Sequence, residues 1–179
     1  MNIIFLGPQG SGKSTQAKMV ADILNIPYIE MGQMLRDIAS GESNIGNKIK
    51  KSLNAGELVP DNIAVSLLNK TLNNPVYNHG FILDGYPRNR AQIDGLKHEI
   101  NKVFYIKVSD AEAIRRLSLR ARHDDTEELL KRRLTIYHEK TEPLLSEFKR
   151  KGILVEINGE RSIEEINKDI ELIVKNGKE

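Results

Sequence analysis

Short apolar runs alternate with longer amphipathic stretches along this chain. Five of these runs have the length and composition of buried strands, at residues 2–6, 27–30, 81–84, 103–108 and 153–157. The segments between them repeat apolar residues with the helical period, as in a helix predicted over residues 12–24. Strands that alternate with helices favour a parallel sheet covered on both faces. The pattern therefore predicts an α/β fold whose ligands bind beyond the carboxyl ends of the strands.

Two segments depart from this regular alternation. Residues 31–59 have a helical pattern but few large apolar side chains, and they contain Gly32, Gly41, Gly46 and Gly56. Such a segment is typical of a small excursion from the core. Residues 110–149 form a long helical stretch with one interruption at residues 121–125 and a bend expected at Pro143.

Two helix starts are marked by capping residues. Asp61 is expected to cap a helix whose apolar stripe consists of Ile63, Leu67, Leu68 and Leu72. Ser162 and Glu165 have the spacing of a capping box at the start of the last helix, predicted over residues 162–174.

Composition narrows the classes of function that the chain can have. Its 179 residues, 39% of them hydrophobic, suit one domain with a sizeable core. The net charge is only +2, so we expect no nucleic-acid partner, and any affinity for a polyanion needs clustered basic side chains. The chain has no cysteine, which excludes disulfides and cysteine-based zinc sites. The amino-terminal apolar run is too short for a signal peptide or a membrane span, so we expect a cytoplasmic protein.

Residues 7–14, Gly-Pro-Gln-Gly-Ser-Gly-Lys-Ser, match the phosphate-loop pattern G-x-x-x-x-G-K-[ST]. The motif follows a predicted strand and precedes a predicted helix, as its mechanism requires. Its backbone amides and the positive end of the helix surround phosphate oxygens. Lys13 adds a charge for the β and γ phosphates, and the Ser14 hydroxyl can bind Mg²⁺. The motif predicts a P-loop NTPase fold and nucleotide binding, but it does not identify the reaction.

A carboxylate and a set of arginines complete the predicted site. Asp84 ends a strand, where it can hold Mg²⁺ or its waters beside Ser14. Phosphoryl transfer needs positioning and positive charge, and an acceptor that is itself a phosphate needs no general base. Arginines near predicted turns or on the interrupted helical stretch fit this need, namely Arg36, Arg88, Arg116, Arg120, Arg122 and Arg133. Spacing alone still favours a solvated, salt-bridged surface for each arginine of residues 110–140, and we expect this of Arg115, Arg132 and Arg150.

Longer motifs resemble those of the adenylate kinase family, and the resemblance covers nearly the whole chain. Residues 7–16 are similar to that family's GxPGxGKGTQ loop, and residues 84–88 to its D-G-[FY]-P-R signature, which is far more specific than a phosphate loop. Residues 122–125 resemble the R-x-D-D that closes the lid in this family, and residues 133–134 the R-L on the following helix. The resemblance therefore supports a nucleoside monophosphate kinase with a P-loop NTPase fold.

The resemblance implies an activity and a division of the chain. The activity is reversible transfer of the γ-phosphoryl group of ATP to AMP, giving two ADP, with Mg²⁺ as cofactor and no structural zinc. Nucleotides are the implied partners, with no membrane, and the oligomeric state is left open. Residues 30–59 correspond to an AMP-binding subdomain, residues 121–125 to a very short lid, and residues 1–29, 60–120 and 126–179 to the core of a single kinase domain.

The resemblance also implies roles for individual residues. The implied catalytic residues are Lys13, Arg88, Arg120, Arg122 and Arg133. Those implied for ATP are Gly10, Ser11, Gly12, Lys13, Ser14, Thr15, Arg116, Arg120 and Arg161. Those implied for AMP are Met31, Arg36, Glu57, Leu58, Val59, Gly85, Arg88, Gln92, Arg122 and Arg133.

Two departures from the family pattern affect specificity. Residues 30–33, Glu-Met-Gly-Gln, replace the family's S-T-G-D, so a methionine stands where the family has a threonine near the base of AMP. Only Ala121 separates Arg120 from Arg122, which leaves no room for a β-rich lid and predicts looser selection of the triphosphate base. A UMP/CMP kinase is one alternative, against which Gln92 argues. A non-catalytic P-loop binding or assembly factor is another, against which the arginine set argues.

Overall fold

A computed structural model describes residues 1–120 and 126–176, with Arg120 described by its backbone only. The expected lid, residues 121–125, therefore lies outside the described residues. All strand pairs of the sheet are parallel, in the order β2-β3-β1-β4-β5. The strands are β1 (Asn2–Leu6), β2 (Tyr28–Glu30), β3 (Phe81–Asp84), β4 (Lys102–Lys107) and β5 (Leu154–Asn158). The predicted five-stranded parallel sheet is confirmed.

Helices connect consecutive strands and cover both faces of the sheet. They are α1 (Lys13–Leu24), α2 (Met31–Ala39), α3 (Asn44–Asn54), α4 (Asp61–Leu72), α5 (Arg90–Gly95), α6 (Asp110–Arg120), α7 (Glu127–Ile136), α8 (Leu144–Arg150) and α9 (Ile163–Asn176). A short 3₁₀ turn (Pro75–Tyr77) precedes β3, and a π-helix (Tyr137–Thr141) follows α7.

The central strands are buried on both faces, which explains their continuous apolar sequence. Alternate residues of β1 enter two separate core clusters. Ile3 and Phe5 pack with apolar residues of α1 and α9, whereas Ile4 and Leu6 pack in the cluster that contains Leu68 of α4. The sheet therefore forms the middle layer, and the carboxyl ends of its strands are free to carry a site.

Residues 31–54 lie at one edge of this core. Helices α2 and α3 pack on each other, and α2 reaches the sheet at β2 and β3. Both helices have a buried side and an exposed side, with Leu35 and Ile49 buried. This arrangement fits the excursion expected from the weak apolar pattern.

Some local predictions are confirmed and others are wrong. The capping box is present, because the Ser162 amide donates to Glu165 Oε2 at 3.0 Å and the Glu165 amide donates to Ser162 Oγ at 3.2 Å. Asp61 does not cap α4, since it is the first helical residue and its carboxylate accepts hydrogen bonds from Asn89 and Gln92 at the start of α5. The break expected at Pro143 begins earlier, at the π-helix, and Pro143 itself only precedes α8. Across residues 1–120 and 126–176, no helix is long and apolar enough to span a membrane.

Candidate active site

The phosphate loop turns between β1 and α1 with little room for side chains. Gly10 has φ +84°, and a Cβ there would lie 2.5 Å from the carbonyl oxygen of Ala113. Gly12 also has a left-handed backbone and forms the N-cap of α1. Lys13 begins the helix, is 8% exposed, and holds its Nζ 3.4 Å from the carbonyl oxygen of Pro8. The loop thus presents backbone amides, a helix N-terminus and one lysine to the same space.

The carboxylate of Asp84 lies beside this loop at the end of β3. Its Oδ2 accepts hydrogen bonds from the hydroxyl of Ser14 and, at 2.9 Å, from the hydroxyl of Tyr28. Its Oδ1 is buried and has no hydrogen-bond partner within the described part of the chain. Burial, followed by the charges of Asp84 and Glu30, raises the pKa of Tyr28, so this phenol remains a donor. One carboxylate oxygen of Asp84 is therefore held in place while the other is left for a further ligand.

Arg88 is fixed at three points. Its amide donates to Gln92 Oε1 at 2.7 Å, and its carbonyl accepts from Thr141 Oγ1 at 2.7 Å. Its Nε donates to the carbonyl of Gly85 at 2.8 Å. Burial lowers the pKa of the Arg88 guanidinium from its usual value, but arginine stays protonated in proteins, so the group is a cation. These contacts direct a positive, forked group into the space that the phosphate loop faces.

Gln92 and Asp61 link the starts of α5 and α4. Asp61 Oδ1 accepts from Gln92 Nε2 at 2.9 Å and from Asn89 Nδ2 at 2.8 Å. The side chain of Gln92 is 3% exposed and makes one bond through its oxygen and one through its nitrogen. A primary amide has two lone pairs and two hydrogens, so Gln92 keeps one acceptor and one donor position for a base.

The segment expected to bind AMP lines the opposite wall. Met31 and Val59 are buried, and both face the cavity together with Leu58. Arg36 donates through Nη2 to Glu30 Oε1 at 3.1 Å. Glu57 forms an ion pair of 2.5 Å with Arg132, which joins this segment to α7. The prediction that Arg132 is a salt-bridged surface residue is therefore confirmed, and its partner Glu57 belongs to the segment expected to bind AMP.

The remaining predicted arginines have different positions. Arg116 donates to Glu112 and approaches the carbonyl of Ser11 at 3.4 Å, next to the phosphate loop. Hydrogen bonds from Arg115 and Arg116 hold the pKa of Glu112 at about 2. Arg133 faces the cavity and contributes a like charge near Arg88. Arg161 donates to Asp169 at 2.6 Å and does not line the cavity. The side chain of Arg120, and all of Arg122, lie outside the described residues.

One continuous cavity of about 420 Å³ brings most of these residues together. This volume is within the range of sites for small molecules. From the phosphate-loop side it is lined by Gly10, Gly12, Lys13, Ser14, Thr15 and Arg116. From the other side it is lined by Met31, Arg36, Glu57, Leu58, Val59, Gly85, Arg88, Gln92 and Arg133, with Asp84 between the two sets. Ser11, within the loop, is fully buried.

Sequence reasoning assigned no role to several residues that shape this cavity. Glu30 lines it and pairs in register with Asp84, since β2 and β3 are adjacent parallel strands. Thr141 and Tyr137 reach it from the π-helix. Glu30 ends a predicted strand, which was a usable signal, but its position beside Asp84 depends on the strand order. Thr141 had no local signal that would connect it with Arg88.

Comparison with known proteins agrees with this geometry. The family model described as "Adenylate kinase" matches residues 5–153. An adenylate kinase of Archaeoglobus fulgidus is 35% identical over 213 positions, covering 98% of each chain. An adenylate kinase of Prochlorococcus marinus (strain MIT 9515) is 40% identical over 176 positions, covering 94% of this chain and 96% of the relative. An "Adenylate kinase 1" of Synechocystis sp. is 37% identical over 180 positions, covering 97% of this chain and 96% of the relative. The chain belongs to the adenylate kinase family.

Proposed function

We propose that this protein is an ATP:AMP phosphotransferase that moves the γ-phosphoryl group of ATP to AMP and forms two ADP. The observation that carries the proposal is the single cavity in which a phosphate loop faces a second set of arginines across Asp84. Two anionic substrates can lie end to end in such a cavity. The curated relatives named above are all adenylate kinases, which favours this function over a UMP/CMP kinase or a non-catalytic binding protein.

The reaction needs orientation and charge from the protein. An oxygen of the AMP phosphate attacks the γ-phosphorus of ATP as the bond to the β–γ bridging oxygen breaks, and both products leave as ADP. The attacking oxygen is already anionic, so no general base is required. Lys13 and the loop amides hold the β and γ phosphates, and Arg88 and Arg133 neutralise charge between donor and acceptor. We assign Arg120 and Arg122 to the same task from the family pattern.

Mg²⁺ is the cofactor that fits the donor side. The orphaned Oδ1 of Asp84 and the adjacent Ser14 hydroxyl are hard oxygen ligands, as Mg²⁺ prefers. Asp84 and Ser14 would hold the ion directly or through water, and bound Mg²⁺ would neutralise phosphate charge. The described residues contain no group of three or more His, Cys, Asp or Glu side chains placed for a metal.

We assign AMP to the wall formed by residues 30–59. Arg36 and Arg88 would bind its phosphate, while Met31, Leu58, Val59 and Gln92 would surround its base. Arg116 and Thr15 lie on the ATP side, and Arg161 is assigned to the adenine of ATP on the family pattern alone. The very short lid, residues 121–125, would cover the donor.

A coupled assay of four monophosphates against four triphosphates tests the activity. We expect AMP to be preferred as acceptor, with ATP accepted as donor. The function is overturned if UMP or CMP has the higher kcat/KM, or if every pair is inactive although the nucleotides bind.

A further inference from the structure

Glu30 is a carboxylate that lines a cavity in which Lys13 and several arginines are placed to bind phosphate. It ends β2, pairs in register with Asp84, and its side chain is 22% exposed. Asp84 has a hydroxyl partner and an orphaned oxygen that suit a metal, whereas the carboxylate of Glu30 is held by cations. An additional negative charge beside a phosphate site opposes phosphate binding.

The principal partner of Glu30 is the arginine expected to bind the acceptor phosphate. Arg36 Nη2 lies 3.1 Å from Glu30 Oε1. The same Nη2 and the Nε of Arg36 also donate to Gln33 Oε1, at 2.8 and 3.3 Å. The Nε–Nη2 edge of a guanidinium is one of the two edges that bind a phosphate at two points. In Arg36 this edge is already occupied by side chains of the protein.

A second cation is held by the other oxygen of Glu30. Lys18 Nζ lies 3.7 Å from Glu30 Oε2 and above the ring of Tyr28, 5.5 Å from its centroid. The hydroxyl of Tyr28 lies 3.4 Å from the same Oε2. Glu30 therefore neutralises charge from Arg36, which lines the cavity with it, and from the more exposed Lys18.

We propose that Glu30 is an internal counter-ion that competes with the phosphate of AMP for Arg36. This competition lowers the affinity of the acceptor site for AMP. The inference rests on the proposed role of Arg36 in binding that phosphate. Binding of AMP exchanges one anionic partner of Arg36 for another, so only the difference between the two contributes to affinity. Removing the carboxylate while keeping its shape releases Arg36 for phosphate.

The test is isothermal titration of Glu30→Gln and the wild type with AMP, adenosine and ATP. We expect the Kd for AMP to fall by about 2- to 5-fold, or about 0.4–1 kcal/mol, which is within the range of exposed ion pairs. Adenosine has no phosphate, so its Kd should be unchanged, and the change for ATP should be smaller than for AMP. Asp37→Asn is the matched control, because this substitution removes the same charge from a residue on the helix of Arg36. Asp37 accepts a hydrogen bond from Gln33 and makes none with Arg36.

Glu30→Ser gives a second, smaller side chain without charge, in case the glutamine variant folds poorly. Unchanged AMP affinity in both variants would overturn the proposal. Weaker AMP affinity would also overturn it, since Glu30 would then align Arg36 for the phosphate. Equal tightening for adenosine would overturn it as well, because the effect would not concern the phosphate.

Arg36→Ala separates failure of this inference from failure of the site assignment. If Arg36→Ala leaves AMP affinity unchanged, the proposed role of Arg36 is wrong. If Arg36→Ala weakens AMP binding but Glu30→Gln does not tighten it, only the competition is wrong. In the Arg36→Ala background, Glu30→Gln should tighten AMP by less than it does in the wild type.

Discussion

Replacing Arg88 by lysine keeps its charge and removes its fork, which makes it a sharp test of the proposed transfer. The Nε of Arg88 is bound to the carbonyl of Gly85, so the guanidinium is oriented before any substrate arrives. Lysine has no equivalent of Nε, and its ammonium is a single point of contact on a flexible stem. The variant should therefore bind nucleotides but position the transferring group poorly.

The size of the effect follows from the contacts that are lost. Removing one preorganised donor to a developing charge costs about 10²- to 10³-fold in turnover. Losing the bond from Nε to Gly85 removes a charged hydrogen bond worth about 1.5–3 kcal/mol of folding free energy. At roughly 2–4 °C per kcal/mol for a chain of this size, the melting temperature should fall by several degrees. The protein should therefore remain folded at the assay temperature while kcat/KM falls by about 10²-fold or more.

The assay is steady-state kcat/KM with ATP and AMP, measured together with the melting temperature. Arg90→Lys is the matched control, since Arg90 is 61% exposed, does not line the cavity, and pairs with Asp94 and Glu147. Lysine keeps the charge that pairs with Asp94 and Glu147, so activity should stay near that of the wild type. If Arg88→Lys retained activity within about 3-fold of the control, two-point contact by this fork would not be needed for transfer.

Three further predictions concern the loop, the base and a surface histidine. Lys13→Ala should lower turnover by about 10²-fold or more with little loss of stability, and near-normal turnover would reduce Lys13 to a structural part of the loop. Gln92→Ala should weaken AMP binding by about 1–3 kcal/mol, because the base loses its partner in a buried site. An unchanged preference for AMP over CMP and UMP would instead assign base recognition to Met31 or to residues 58–59. The pKa of His138 is raised from 6.5, chiefly by Glu142 and also by Asp110, so its stabilising charge is complete below pH 6.5 and is lost as pH rises through the raised value. The melting temperature of His138→Gln should therefore lie below that of the wild type at pH 6 and approach it at pH 9. A difference in melting temperature that does not change with pH, or an equal difference for the exposed His79→Gln, would contradict this.

Most of the sheet and the donor side of the site could be predicted from sequence because their signals are local. Each strand is a short apolar run, and the phosphate loop is a contiguous motif placed between a strand and a helix. The capping box of α9 likewise depends on residues three positions apart. Local patterns of this kind depend mainly on backbone geometry over a few neighbouring residues.

The parts that sequence reasoning missed depend on contacts between distant segments. Glu30 meets Asp84 only because β2 pairs with β3, and the order of strands is not encoded in either strand. Asp61 has the right type and position to cap α4, but Asn89 and Gln92 provide alternative donors and the carboxylate binds them instead. Thr141 reaches the carbonyl of Arg88 through a π-helix, which no pattern in residues 137–141 indicates.

The residues proposed to recognise the acceptor base and to position the transferring charge share one hydrogen-bond network. Gln92 Oε1 accepts from the amide of Arg88, and Gln92 Nε2 is fixed by Asp61. A base that pulls the amide of Gln92 out of this geometry also disturbs the backbone from which Arg88 extends. Such a base is penalised twice, once in binding and once in turnover, because only contacts that improve in the transition state raise kcat. We therefore expect Gln92→Ala to lower kcat with AMP in addition to weakening its binding, because Gln92 holds the amide of Arg88.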